Sequence, residues 1–456
     1  MTFATRLADI AGRLAVNPAL RYTALNQLVR LMLGPAVLVA LPVFLTAEEL
    51  GFWYAMTGVA AIMAFADMGL STAVLQFSAH EYAEVEAARA AAGGDAFTDS
   101  RRQDALFLFA MRRIGRVCLI GLPLVFVGGL WSMGNHHGGG AGGSVGWIIP
   151  WTLFCLASAL ALMVSVMLAF REGQDGVWLV QRLRAAMSFV TLAATITGAA
   201  SGLGIWTLPL ASLATSAVGF AVLARGHLPG PLRLRAVPQE AVRDWSASMS
   251  TILSRYSLSW IGGYVMFQLF APITMYLKGP VLAGRVGLTV SVFTAIFSLA
   301  NVWLAFRLPL MSMAVAVRNA PMLRRVFLSG LAAALLSYLF LAGVALAAYF
   351  TFGDIPTVAR RLLAPTSVVL LAVGWGLQVV VHNSSLFIRA FKVDPLVVVT
   401  WVAAIHTVIG TAAFLYFGRP DLMFVAFVSS YVWTLPVVYL LCRRRMRDIA
   451  AWPDPS

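Results

Sequence analysis

Apolar runs of roughly 18 residues or more recur from one end of this chain to the other. Each is long enough to cross a hydrocarbon core as a helix, which takes about 20 residues at 1.5 Å per residue. The pattern predicts twelve spans, near residues 22–45, 52–78, 109–131, 146–170, 177–201, 203–224, 256–278, 283–306, 326–350, 363–388, 395–417 and 421–442. The expected fold class is therefore an all-α polytopic membrane protein. Before the first span, Phe3, Leu7, Ile10 and Leu14 recur at helical spacing, so residues 1–21 read as an amphipathic segment lying on the membrane surface. They do not read as a cleavable signal. Residues 80–108 mix acids and arginines around an Ala-rich piece, which predicts a surface extension of span two that breaks at Gly93 and Gly94. Near the midpoint, residues 225–254 form a long polar linker containing "GHLPGPLRLRAVPQE". Six spans on either side suggest a duplicated unit, with an N-lobe over 22–224, a C-lobe over 255–442 and a tail over 443–456. The turns after spans one and seven are loosely alike, each with a Pro near its outer end, Pro42 and Pro272, and a Gly before the next span.

Composition agrees. Hydrophobic residues make up 60% and charged residues 11%, against roughly 25% charged in a soluble domain. No polar segment is long enough to hold a separate soluble core. The formal charge is +14, and of the 33 basic residues only Lys278 and Lys392 are lysines. Basic excess in such a chain reports topology, and no nucleic-acid motif accompanies it. Arginines crowd alternate loops, among them Arg112, Arg113, Arg116, Arg171, Arg182, Arg184, Arg233, Arg235, Arg324, Arg325 and the "CRRRMR" tail. The intervening loops carry only Lys278, Arg285, Arg360, Arg361 and Arg419. Both termini are then expected in the cytoplasm, a parity that twelve spans satisfy.

Ionisable residues at membrane depth cost about 2.5–3.5 kcal/mol or more, so they face a wet cavity, a partner or the interface. Arg30 lies nine positions past Arg21, about 13 Å along a helix, and either faces a cavity or snorkels. Asp67 stands inside the apolar run of span two. It is expected to pair with Arg30 at comparable depth, to be protonated, or to face water. Arg307 is followed by ten uncharged residues, "LPLMSMAVAV", and Arg255 comes just before span seven. His406, and His382 with Asn383, fall mid-span; such a His is either hydrogen-bonded in the bundle or responsive to protons.

No nucleophile elbow, phosphate-cradling glycine loop or acid-rich metal motif is present, and no cofactor is expected. His136 and His137 lack a third ligand nearby, and Cys118, Cys155 and Cys442 have no metal spacing. The pattern favours transport over catalysis. Arg30, Arg255 and Arg307 would line a basic chamber open to the cytoplasm, suited to an anionic head such as a pyrophosphate.

Several stretches bear this out. "LTAEELGFWYAMTGVAAIMAFADMGLSTAVLQFSAHE" resembles the first hairpin of polysaccharide flippases of the Wzx type, through Glu48, Glu49, Gly51, Asp67, Gly69 and Leu70. "KGPVLAGRVGLT", "FREGQDGVWLVQRLR" and "LFIRAFKVDPLVVVT" are similar to further loops of that family, the last through Arg389, Ala390, Lys392, Asp394 and Pro395. That family shares its superfamily, MOP, with MATE-type antiporters and lipid II flippases. The resemblance implies two six-helix lobes around a central cavity that opens alternately to each side. It implies that an undecaprenyl-pyrophosphate-linked oligosaccharide is carried across the bacterial inner membrane for O-antigen or exopolysaccharide synthesis. A coupling ion, H+ or Na+, acting at Asp67 or His406, and a polysaccharide polymerase as partner are part of that expectation. Two alternatives are a cation-coupled MATE-type exporter of small amphipathic molecules and a membrane-embedded glycan polymerase or ligase. The short outer loops argue against the latter.

Overall fold

The computed structural model describes residues 18–67, 69–91, 101–134, 146–352, 355, 360–391 and 395–450, with some side chains excepted. The amphipathic segment before Pro18, the His136–His137 pair and the Gly93–Gly94 break lie outside the described residues. Among the described residues seventeen helices follow one another: α1 (Pro18–Phe44), α2 (Ala47–Ala66), α3 (Leu70–Ala91), α4 (Arg101–Gly134), α5 (Ile148–Gly173), α6 (Val177–Ala200), α7 (Thr207–Ala224), α8 (Pro231–Arg235), α9 (Gln239–Gln268), α10 (Phe270–Lys278), α11 (Pro280–Ala305), α12 (Leu308–Ala316), α13 (Ala320–Phe352), α14 (Pro365–Arg389), α15 (Val397–Tyr416), α16 (Val425–Ser429) and α17 (Tyr431–Ala450). Short 3-10 turns at Gly204–Trp206 and Pro420–Leu422 lead into α7 and the last span.

Among the described residues, nine helical segments are long and apolar enough to cross a membrane. Their outer faces are apolar: Leu119, Ile120, Leu124 and Val127 on α4 are exposed, as are Leu336, Leu339 and Phe340 on α13. Water would not tolerate so much contiguous hydrocarbon, whereas lipid does. The other three expected spans coincide with α1, α2–α3 and α9–α10.

Two of those three are not the continuous helices the hydrophobic pattern predicts. Span two breaks between Ala66 and Leu70, where Gly69 adopts φ +77°, a backbone setting that side-chain-bearing residues resist. Span seven breaks at Leu269. Pro272 has no N–H to give the carbonyl of Gln268, so the ladder resumes one residue later with Ile273 N–H bonded to Leu269 O at 3.0 Å. The run Pro280–Val315 is interrupted in the same way. Pro309 cannot serve Ala305, Arg307 N–H turns back to Leu304 O at 3.0 Å, and α12 starts at Leu308.

The chain forms two compact units. The first comprises the described residues of Met1–Glu49 and Val59–Ile261. In it α1 packs on α6, α5 packs on α3, α4 and α7, and α6 packs on α7. The linker is docked here rather than free. Arg233 of α8 grips Asp104 of α4 with both carboxylate oxygens in reach, at 2.9 and 3.1 Å from Nη2. Trp245 Nε1 donates to the Arg102 carbonyl at 3.2 Å, and its ring meets Phe77 edge-on at 5.4 Å. Arg102 lies over that indole and pairs with the buried Glu81 at 3.2 Å.

The second unit comprises Leu50–Gly58 and the described residues of Gly262–Ser456. Its main core stacks Phe267 on Trp375 at 5.2 Å, with Phe270, Phe297 and Phe427 around them. A smaller core of Leu304, Met311, Leu323, Phe327, Phe387 and Val438 holds α12. Leu50–Gly58, the first half of α2, is seated by close approach. The Tyr54 ring lies where a side chain on Gly287 would be, and Tyr264 OH donates to Gly58 O at 3.1 Å.

Candidate functional site

Arg307 occupies the break ahead of α12 because Pro309 ends α11 there. It is half-buried, and its Nη1 donates to Ser329 Oγ on α13 at 2.6 Å. Its methylenes run close to Gly330. Among the described residues no carboxylate pairs with it, so most of its five donors are free for an anion. The side chains of Arg30 and Arg255 lie outside the described residues.

Asp67 sits at the α2–α3 break rather than mid-helix. Its carboxylate accepts the Ser71 N–H at 3.2 Å and the Ser71 hydroxyl at 3.0 Å, while its carbonyl accepts Leu70 N–H at 2.7 Å. It thus supplies acceptors for the first turn of α3, which would otherwise hold bare N–H groups. Ser71 Oγ in turn lies 3.3 Å from Ser165 Oγ of α5. The expected Arg30 partner is a side chain outside the described residues, and the carboxylate's partners among the described ones both belong to Ser71.

His406 is exposed on α15, and its Nε2 lies 2.9 Å from Ser429 Oγ. Ser429 Oγ also donates to Ala426 O at 3.1 Å. A hydroxyl has one proton, so the pairing that serves both contacts has Nε2–H donating to Ser429.

Two further polar groups lie one within each unit, and the second includes Asn383. In the first unit, Arg184 pairs with Glu172 at 2.8 Å, Gln181 Nε2 donates to Glu172 Oε1 at 3.1 Å, and Asn26 Nδ2 donates to Gln181 Oε1 at 3.2 Å. This relay links α1, α5 and α6. Its sequence signal is the polar cluster of "FREGQDGVWLVQRLR" facing Asn26 in an apolar run. In the second unit, Asn383 Nδ2 donates to Asn301 Oδ1 at 2.6 Å, and Asn301 Nδ2 to Phe297 O at 2.8 Å. His382 beside it makes an edge contact with the Phe297 ring at 5.4 Å. Among the described residues no group of three or more His, Cys, Asp or Glu is placed to hold a metal ion.

The helical order and the long apolar spans define an all-α multi-pass membrane protein. Comparison with solved structures gives the particulars. The chain matches the lipid II flippase MurJ in an inward closed conformation with TM-score 0.63 at 10% identity, over 94% of this chain and 89% of that one. It matches a multidrug resistance MATE family transporter of the MOP superfamily, inward-facing, with TM-score 0.55 at 13% identity, over 91% and 98%. It also matches a MOP superfamily transporter from Pyrococcus furiosus, described for the reverse polarity of its binding pocket, with TM-score 0.54 at 13% identity, over 96% and 98%. At these identities the shared property is the fold. No protein-family model matches the chain, and no curated protein matches it by sequence.

Proposed function

We propose that the chain is a flippase that carries an undecaprenyl-pyrophosphate-linked oligosaccharide across the bacterial inner membrane by alternating access, for surface polysaccharide biosynthesis. The observation that carries this reading is Arg307. It is a half-buried guanidinium at a helix break inside an apolar run, with one hydroxyl partner. An uncompensated cation at such a place is costly unless its partner arrives from outside. A pyrophosphate meets that need through paired charge-assisted hydrogen bonds. Arg30 and Arg255 complete the cationic cavity in this reading. Both termini are cytoplasmic, which follows from the arginine-rich loops. Asp67 and His406 are the coupling positions, taking up H+ or binding Na+, and a polysaccharide polymerase acts on the delivered unit.

The test is complementation of a deletion strain with a variant carrying Arg30→Gln, Arg255→Gln and Arg307→Gln. Loss of surface polysaccharide, with the protein still present in the membrane, is expected. Normal polysaccharide would overturn the cavity assignment. A second reading, export of small amphipathic molecules, draws on the fold shared with MATE transporters. It requires altered drug susceptibility in the deletion strain alongside intact polysaccharide.

A further inference from the structure

The Glu172 relay has a fixed orientation. A carboxylate only accepts, so Gln181 must turn its amide N–H toward Glu172 and its carbonyl toward Asn26. Asn26 must then donate through Nδ2, which leaves its Oδ1 pointing elsewhere. That oxygen is buried, on a residue 3% exposed, and among the described residues has no hydrogen-bond partner. A bare buried acceptor is unfavourable, and only a hydrogen-bond donor relieves it.

One turn back on the same face of α1 stands Tyr22. Two guanidiniums converge on its ring: Arg21 at 5.4 Å and Arg182 of α6 at 5.9 Å from the centroid. Both arginines are exposed, and among the described residues neither has a carboxylate partner. The nearby Glu172 is engaged by Arg184 and Gln181. Like charges drawn to one ring repel each other, and an anion with oxygens for both forks removes that repulsion.

We propose that Arg21, Tyr22, Arg182 and Asn26 form a headgroup site for a phosphate ester bearing a free hydroxyl. The phosphate lies against the two guanidiniums, and the hydroxyl donates to Asn26 Oδ1. One helical turn, a rise of about 5.4 Å along α1, separates Tyr22 from Asn26. A phospholipid headgroup of the phosphatidylglycerol type and a soluble glycerol phosphate share this chemistry. The site shares no residue with the Arg30, Arg255 and Arg307 set, and its readout is binding, so it stands or falls apart from any transport activity.

The purified full chain is titrated with phosphatidylglycerol, phosphatidylmethanol and phosphatidylcholine, and binding is followed by native mass spectrometry. Phosphatidylmethanol keeps the anionic phosphodiester and lacks the hydroxyl. Phosphatidylglycerol should bind about tenfold tighter than phosphatidylcholine, with phosphatidylmethanol in between. The Arg21→Gln/Arg182→Gln variant should lose the preference for both anionic lipids. Asn26→Leu should erase only the difference between the two anionic lipids. Displacement of phosphatidylglycerol by glycerol 3-phosphate identifies a soluble ester as the ligand; retention identifies the lipid. The wild-type series needs no variant to fold. Equal binding of all three lipids by wild type overturns the proposal. Equal binding of phosphatidylglycerol and phosphatidylmethanol, or an unchanged preference in the double variant, does so as well.

Discussion

Asp67 and Ser71 form a closed unit at a helix start: the Asp67 carboxylate receives both the backbone N–H of Ser71, at 3.2 Å, and its hydroxyl, at 3.0 Å. A carboxylate that looks stranded in an apolar run is therefore the first-turn acceptor of α3. Asparagine keeps an acceptor oxygen in that place, and alanine does not. Asp67→Ala should lower stability by about 1 kcal/mol, read as reduced melting temperature in detergent. Asp67→Asn should keep wild-type abundance. If Asp67→Asn is abundant and inactive in the polysaccharide assay, the carboxylate also serves coupling. If Asp67→Asn and Asp67→Ala melt alike, the capping role is wrong.

Tyr54 over Gly287 gives a second prediction. A methyl group on Gly287 would occupy the space of the Tyr54 ring. Gly287→Ala should destabilise the chain by about 1–3 kcal/mol. Combining it with Tyr54→Ala should recover part of that loss, because the ring no longer competes for the space. Additive losses in the double variant would refute a direct contact.

The pairing of Arg233 with Asp104 is geometrically strong and unevenly buried, with side-chain exposures of 57% and 8%. Asp104 is buried, so even with solvent screening the arginine the coupling should exceed the zero to about 1 kcal/mol of an exposed pair. It should stay below the roughly 3–5 kcal/mol seen when a fully buried pair is broken. A double-mutant cycle with Asp104→Asn and Arg233→Gln, read by thermal unfolding, measures it. Zero coupling would mean the linker is held by its other contacts, among them Trp245 on the Arg102 carbonyl and Arg112 on Gln239.

Glu81 sets a pH dependence. Burial raises its carboxyl above the ordinary 4.5, and the Arg102 guanidinium opposes that shift. A carboxyl raised on folding binds its proton more tightly in the folded state. Its contribution is complete below 4.5 and is lost as pH rises through the folded value. Wild type should therefore gain stability from this group on acidification from neutral pH toward 4.5, and Glu81→Gln should lack that increment. Identical pH profiles of melting temperature would count against it.

The twelve apolar stretches were legible because a membrane span must be long and nearly free of charge. All twelve coincide with helical segments. The breaks were not visible to a scan for apolar length, which averages over a Pro or a Gly. Their signals are local: Pro272 and Pro309 each silence one N–H, and "DMGLS" places an acceptor, a positive-φ glycine and a serine in sequence. The docking of the linker was illegible, since Asp104 and Arg233 stand 129 positions apart. Asn26 was missed because it carries no charge. Its importance comes from what Glu172 forces on Gln181, which only the packing of α1, α5 and α6 reveals.

That relay also has a polarity. Glu172 is its only pure acceptor, so every amide in the row is turned one way, as compass needles are by a single pole. Replacing Glu172 with glutamine would remove the pole. The amides of Gln181 and Asn26 could then turn over together at little cost, and the oxygen now held open at Asn26 would become an N–H for part of the time. One carboxylate on α5 thus decides whether a position on α1 asks its surroundings for a donor or for an acceptor.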